Sequence, residues 1–116
     1  MELFAFLDLL GDGPSRRVLA RLSFLSAEEG GRSWPCWGVY RPNHNFGGPD
    51  DRQFYIGQVQ VPEGEVVHPG ETRNLEVWFL NGPGLAELLQ VGRQWRVQEG
   101  KNLVANAEIL EVLSEG

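Results

Sequence analysis

Two short stretches decide the fold of this chain: Glu28-Glu29-Gly30-Gly31-Arg32 and, eight residues further on, Tyr40-Arg41-Pro42-Asn43-His44-Asn45-Phe46. In the first stretch, two adjacent glycines permit backbone conformations with positive φ, so a tight loop is expected to hold the arginine at a fixed angle. In the second stretch, proline biases the preceding arginine towards extended geometry. The two stretches together predict a glycine-shaped loop that leads into a bent, extended segment.

Outward from these stretches, apolar residues recur at every second position, which is typical of strands with one buried face. Turn residues separate the strands, and Pro69-Gly70 suits the centre of a type II turn. About six short strands predict an all-β fold, a six-stranded antiparallel closed barrel, because closure removes exposed edges. The residues predicted to face inward are Val18, Ala20, Leu22, Phe24, Tyr55, Val59, Val61, Leu75, Val77, Phe79, Trp95, Val97, Leu103, Ala105, Ala107 and Ile109.

Some segments do not follow the simple strand pattern. Gln58 and Gln60 are predicted on the outer side of their strand, opposite its apolar residues. Residues 85–91 are predicted as one turn of helix or as irregular structure. Residues 47–51 read Gly-Gly-Pro-Asp-Asp and predict a loop.

A chain of 116 residues has the size of one domain. Residues 17–116 are predicted to form the barrel, and residues 1–16 to form an N-terminal extension. Leu3, Phe6, Leu7 and Leu10 in that extension have helical spacing, although a strand fits as well. The extension is expected to pack over outward apolar residues such as Trp78 and Leu80.

The composition favours a cytoplasmic protein that is not a general nucleic-acid coat. The net charge is -6, whereas neutralising many phosphates needs a basic surface. One cysteine, Cys36, excludes an intramolecular disulfide and fits a reducing compartment. The N-terminal apolar run lacks the basic flank and the cleavage pattern of a signal peptide.

No pattern in the chain predicts catalysis, a metal site or a cofactor. A phosphate-binding G-x-x-x-x-G-K-[ST] loop is missing from the sequence. Cys36, His44 and His68 lack the paired spacing of metal ligands. Cys36 is expected to pack as a small side chain beside Pro35 and Trp37, so a nucleophilic role is not predicted.

The order of motifs resembles the third, C-terminal β-barrel domain of elongation factor Tu, here as a standalone domain. The similarity runs from about Val18 to Val112, and it implies a six-stranded antiparallel barrel. The resemblance is carried by the two stretches quoted above and by Val61-Pro62-Glu63-Gly64, His68-Pro69-Gly70-Glu71 and Arg96-Val97-Gln98-Glu99-Gly100.

The resemblance also implies which surface is used. In that family this domain contacts the T-arm of tRNA, the GTPase domain and the nucleotide-exchange factor. Arg32, Asn43 and Gly100 match family positions on the tRNA-facing surface. With their neighbours they define the candidate binding residues, which are Arg32, Trp34, Arg41, Asn43, His44, Gly100 and Lys101.

Two functions follow as expectations. The first is a non-catalytic binding module that docks a protein partner in a regulatory, immunity or mimic role. The acidic net charge favours it, as do the family's tRNA-facing positions that differ here, such as Ser33. The alternative is an RNA-binding module for the acceptor and T-arm region of tRNA, in which Arg32, Arg41, Asn43 and Lys101 contact phosphates.

The region from Trp34 to Tyr55 is rich in aromatic residues, and about two-thirds of them are expected to pack into the barrel. Any two left exposed beside Arg32 and Arg41 would form a surface with the composition of an interaction hot spot, since tryptophan, tyrosine and arginine dominate interface energetics. The aromatic residues concerned are Trp34, Trp37, Tyr40, Phe46, Phe54 and Tyr55.

Overall fold

The structure of the protein, a computed structural model, describes residues 15–114. Most of the predicted N-terminal extension, with its packing over Trp78 and Leu80, lies outside the described residues. Residues 15–114 form seven strands and one short helix. In chain order these are β1 (Ser15–Phe24), β2 (Val39–Tyr40), β3 (Asn43–Asn45), β4 (Tyr55–Gln60), β5 (Thr72–Leu80), α1 (Leu85–Leu88), β6 (Gln94–Glu99) and β7 (Asn102–Ser114).

Six of the strands close into an antiparallel barrel, as predicted. Around the ring, β4 pairs with β3, then follow β6, β7, β1 and β5, and β5 returns to β4. The short strand β2 lies outside the ring and pairs with β4. Pairing with β5 extends β1 back to Ser15, two residues before the predicted start, since Ser15 lies opposite Leu80.

The barrel interior confirms most of the predicted inward residues. Val18, Ala20 and Leu22 of β1 are fully buried, and so are Val77 and Phe79 of β5. The predicted turn at Pro69-Gly70 is confirmed: Gly70 has φ of 90° and the Glu71 N–H donates to the His68 carbonyl. The alternation of apolar residues was therefore sufficient to identify the core face of β1 and of β5.

In β7, the prediction was wrong at Leu103, which is only half-buried, whereas Val104 is fully buried. The register between β6 and β7 shifts between Val97 and Gln98, so that an extra residue of β7 stands opposite β6. Such a β-bulge breaks the period of two at one point. Both Val104 and Ala105 consequently lie inside the barrel.

In β4, Gln58 is fully buried instead of exposed. Its cross-strand partner is Trp78, so it lies in the same row as the predicted outward tryptophan. Trp78 is half-buried, with the Arg17 guanidinium 4.1 Å from its ring centre. Bulky neighbours on this outer face hide a glutamine that the strand pattern alone would leave in water.

Strands β2 and β3 behave as two parts of one bent strand. Val39 and Tyr40 pair with Gln60 and Val59, and the same register continues to the pairs of Asn43 and His44 with Ile56 and Tyr55. Pro42, between the two parts, has no N–H to donate and interrupts the ladder. The bend predicted around Arg41-Pro42 is thereby explained.

Of the two alternatives predicted for residues 85–91, the structure shows the single turn of helix, α1, in which only Leu85 is buried. Among residues 15–114, no helix has the length and apolar character needed to cross a membrane.

Candidate docking surface

The loop at residues 26–32 is held by a reciprocal pair of hydrogen bonds. The Ser26 N–H donates to Glu29 Oε1 at 2.9 Å, and the Glu29 N–H donates to Ser26 Oγ at 3.2 Å. Gly30 has φ of 98°, and the Gly31 N–H returns to the Ser26 carbonyl at 2.9 Å. This is the arrangement of a capping box, with no long helix following it. The tight glycine-shaped loop is confirmed, and it delivers Arg32 to a fixed position.

Gly31 is required by close packing rather than by its φ. A Cβ added there would lie 2.4 Å from the Leu25 carbonyl oxygen, which is backbone and cannot swing away. Gly31→Ala is therefore expected to lower the free energy of unfolding by about 1–3 kcal/mol, measured by urea denaturation.

Gly48→Ala is the matched control for that prediction. No atom lies within 4 Å of a Cβ at Gly48, and its φ is not positive. We expect a change within about 0.5 kcal/mol. Equal destabilisation by the two substitutions would contradict the close-packing explanation.

Arg32 contacts four residues in three parts of the chain. Its Nε donates to the Trp34 carbonyl at 3.0 Å and its Nη2 to the Pro35 carbonyl at 3.3 Å. Its Nη1 donates to Glu99 at the end of β6, and its guanidinium carbon lies 4.9 Å from the centre of the Tyr40 ring. Each guanidinium nitrogen thus has a partner within the chain, which makes Arg32 mainly a structural bracket for this end of the barrel.

Tyr40 completes the cluster around Glu99. Its hydroxyl donates to Glu99 Oε2, the same oxygen that accepts from Arg32. Burial, reinforced by the Glu99 carboxylate, raises the pKa of Tyr40. The phenol therefore stays protonated at neutral pH and keeps its hydrogen bond. We call Arg32, Tyr40 and Glu99 the bracket cluster.

Beside the bracket cluster, two tryptophans face solvent. Trp34 is 75% exposed and Trp37 is 66% exposed. Trp37 and Arg41 help to line a surface groove of about 410 Å³ whose floor includes Cys36 and Tyr40. Of the six aromatic residues in this region three are exposed, namely Trp34, Trp37 and Phe54, so fewer pack inside than predicted.

Two cations at the same end of the barrel have no partner in the described chain. Arg41 is exposed just before β3, and Lys101 is exposed in the turn that joins β6 to β7. Neither makes a hydrogen bond or an ion pair with residues 15–114. Gly100 in the same turn has φ of 61°, which favours glycine. Asn43 is half-buried and pairs with Gln98 near the end of β6.

His44 is the predicted binding residue that the structure removes from the surface. Its ring is fully buried, and its Nδ1 accepts a hydrogen bond from the Trp95 indole N–H at 3.0 Å. The Phe79 ring packs edge-on against it, with ring centres 5.0 Å apart. Strand alternation turns His44 inward, whereas its neighbours in the sequence are polar and gave no sign of burial. His44 therefore belongs to the core and is not on the surface.

Cys36 is also buried, in a bridge with Val67. Burial raises the pKa of its thiol, although the nearby Arg32 charge opposes the effect. Within residues 15–114, no group of three His, Cys, Asp or Glu side chains converges as metal ligands would.

No protein-family model matches the chain. The geometry itself brings six of the seven predicted residues to one end of the barrel: Arg32, Trp34, Arg41, Asn43, Gly100 and Lys101.

Sequence reasoning missed two contributors to this surface. Glu99, the acceptor of the bracket cluster, lies 67 residues from Arg32, so no local pattern could indicate their contact. Trp37 was not among the seven candidate binding residues, although it was one of the six aromatic residues of which any two exposed beside Arg32 and Arg41 were predicted to form a hot spot. Its position beside Pro35 and Gly38, residues that break regular strands, was the available signal for an exposed loop.

Proposed function

We propose that this protein is a non-catalytic binding module that docks a protein partner through Trp34, Trp37 and Arg41, which we call the Trp-Arg surface. The observation that carries the proposal is the pair of tryptophans, 75% and 66% exposed, on a segment that Arg32 ties down through two backbone carbonyls. Large aromatic side chains held rigidly in water supply contact area at low entropic cost. The partner role is regulation, immunity or mimicry of a translation factor, in keeping with the resemblance to the third domain of elongation factor Tu.

The same contacts weigh against the RNA alternative. Phosphate binding by Arg32 would compete with its bonds to Glu99 and to the Trp34 and Pro35 carbonyls. Of the four residues in that hypothesis, Arg41 and Lys101 are the exposed cations without a partner in the described chain. The proposed location is the cytoplasm, because the free thiol of Cys36 suits a reducing compartment.

Changing both Trp34 and Trp37 to alanine is expected to weaken partner binding by about a thousandfold or more. Each hot-spot tryptophan typically contributes about 2 kcal/mol or more, which is roughly thirtyfold per residue. Affinity capture from host lysate, with and without ribonuclease, followed by titration of the captured protein measures the effect. The melting temperature should stay nearly unchanged, because both side chains are exposed.

Val91→Ala is the matched control, since Val91 is 70% exposed and precedes β6, at the opposite end from Gly100. Retention by the double tryptophan variant of every captured protein would refute the Trp-Arg surface. Capture that ribonuclease abolishes, and that weakens steeply with salt, would instead support the RNA alternative.

A further inference from the structure

The segment from Cys36 to Arg41 bends at Gly38, whose φ is 66°, and its even-numbered residues bond to the rest of the barrel. Cys36 exchanges two backbone hydrogen bonds with Val67, both 2.9 Å long. The Gly38 carbonyl accepts from the Val61 N–H at 3.0 Å, and Tyr40 pairs with Val59. One edge of the segment is therefore occupied along its whole length.

The odd-numbered residues face the opposite edge. Along an antiparallel ladder, the N–H and C=O groups of successive residues point alternately towards the partner strand and away from it. Val39 and Arg41, which follow the bend at Gly38, consequently direct their backbone groups away from β4. No backbone hydrogen bond joins Trp37 or Arg41 to the described chain, and β2 has β4 as its one partner strand there. We call residues 39–41 the open edge.

The open edge lies on the same side of the bent strand as the edge of β3 that pairs with β6. Asn43 pairs with Gln98 and Asn45 with Arg96, so β6 takes up this edge at β3. At Glu99 the strand ends, and the turn at Gly100 carries the chain into β7 instead of onward beside Arg41. Trp37, Val39 and Arg41 line a surface groove beside this edge.

We infer that an extended peptide segment of the partner, carrying an acidic side chain, adds to the open edge as a strand in line with β6. An unpaired strand edge is a template for such addition, in which the backbone supplies affinity and the side chains supply specificity. Arg41 is exposed on the open edge itself and Lys101 is exposed in the turn where β6 ends, and neither has a partner in the described chain, whereas Glu99 is already bonded to Arg32. The inference rests on the proposed docking function and specifies what docks.

The test uses the full-length protein and a phage-displayed library of random twelve-residue peptides. We expect enriched peptides to contain an acidic residue within an alternating, β-branched sequence. For a synthetic enriched peptide, amide hydrogen exchange at Val39 and Arg41 should slow at least tenfold on binding. Two versions of the peptide should be N-methylated, one at the odd and one at the even positions. The version whose methylated nitrogens face the open edge should not bind, whereas the other version should bind as before.

Arg41→Gln should weaken the peptide several-fold at low salt, whereas Arg52→Gln, at an exposed arginine in the 51–54 segment, should not. The inference is overturned if no peptide is enriched, or if Val39 and Arg41 exchange as fast in the complex as in the free protein. In either case, loss of protein capture on changing both Trp34 and Trp37 would leave the docking function standing. The two failures are thus distinguishable.

Discussion

Phe79→Ala is expected to lower the free energy of unfolding by about 3–5 kcal/mol, the largest effect of any single substitution considered for this barrel. The Phe79 side chain is fully buried, and its ring centre lies 5.0–5.9 Å from those of His44, Phe46 and Trp95. Removing the Phe79 ring deletes the centre of an aromatic cluster. The other members of this cluster lie in β3, directly after β3 and in β6. Since a domain of this size is stable by only about 5–15 kcal/mol, the variant should melt well below the unmodified protein.

Phe54→Ala makes the same deletion at a side chain that is 37% exposed, so a much smaller loss is expected. Phe79→Leu retains part of the side-chain volume, so its loss in free energy of unfolding should lie between the losses of Phe54→Ala and Phe79→Ala. This variant keeps the test informative if Phe79→Ala does not fold. Urea and thermal unfolding of the three variants measure the series. Equal losses for Phe54 and Phe79 would contradict the assignment of Phe79 to the centre of the core.

Stability is expected to fall as pH decreases from about 6.5 to about 4, because His44 is buried as a neutral ring. Burial is the main cause that lowers the pKa of His44 to about 4 from its ordinary value of 6.5, with a weaker opposing interaction from the Gly57 backbone. Above pH 6.5 the ring is neutral in both states and contributes no pH dependence. Between those values the unfolded chain takes up a proton that the folded protein excludes, and the loss reaches about 3 kcal/mol.

Two measurements distinguish the loss of stability caused by protonation of His44 from the loss caused by protonation of carboxylates. In proton NMR titration, the His44 ring signal of the folded protein should stay in its neutral position down to about pH 4. In urea denaturation across the same range, His44→Gln should reduce the pH slope, whereas His68→Asn should preserve it because His68 is exposed. A His44 signal that moves near pH 6.5 would contradict the buried neutral ring.

The candidate surface was predictable only in outline. The glycine loop, the bend at Arg41-Pro42 and the aromatic richness are local features, and they indicated the end of the barrel at which the proposed surface lies. The bracket cluster was not accessible to the same reasoning, because Arg32, Tyr40 and Glu99 meet across strands that are distant in sequence. Which aromatic residues stay exposed was likewise undecided until the strands were placed.

The sequence by itself determined the barrel. Apolar residues at every second position identified the buried faces of β1 and β5, and Pro69-Gly70 and Gly30-Gly31 identified the turns, because strand geometry and backbone sterics act over a few residues. Only the tertiary structure decided that His44 is core, that Arg32 is a bracket and that residues 39–41 have an open edge. Those properties depend on which strands become neighbours, and no local pattern encodes that arrangement.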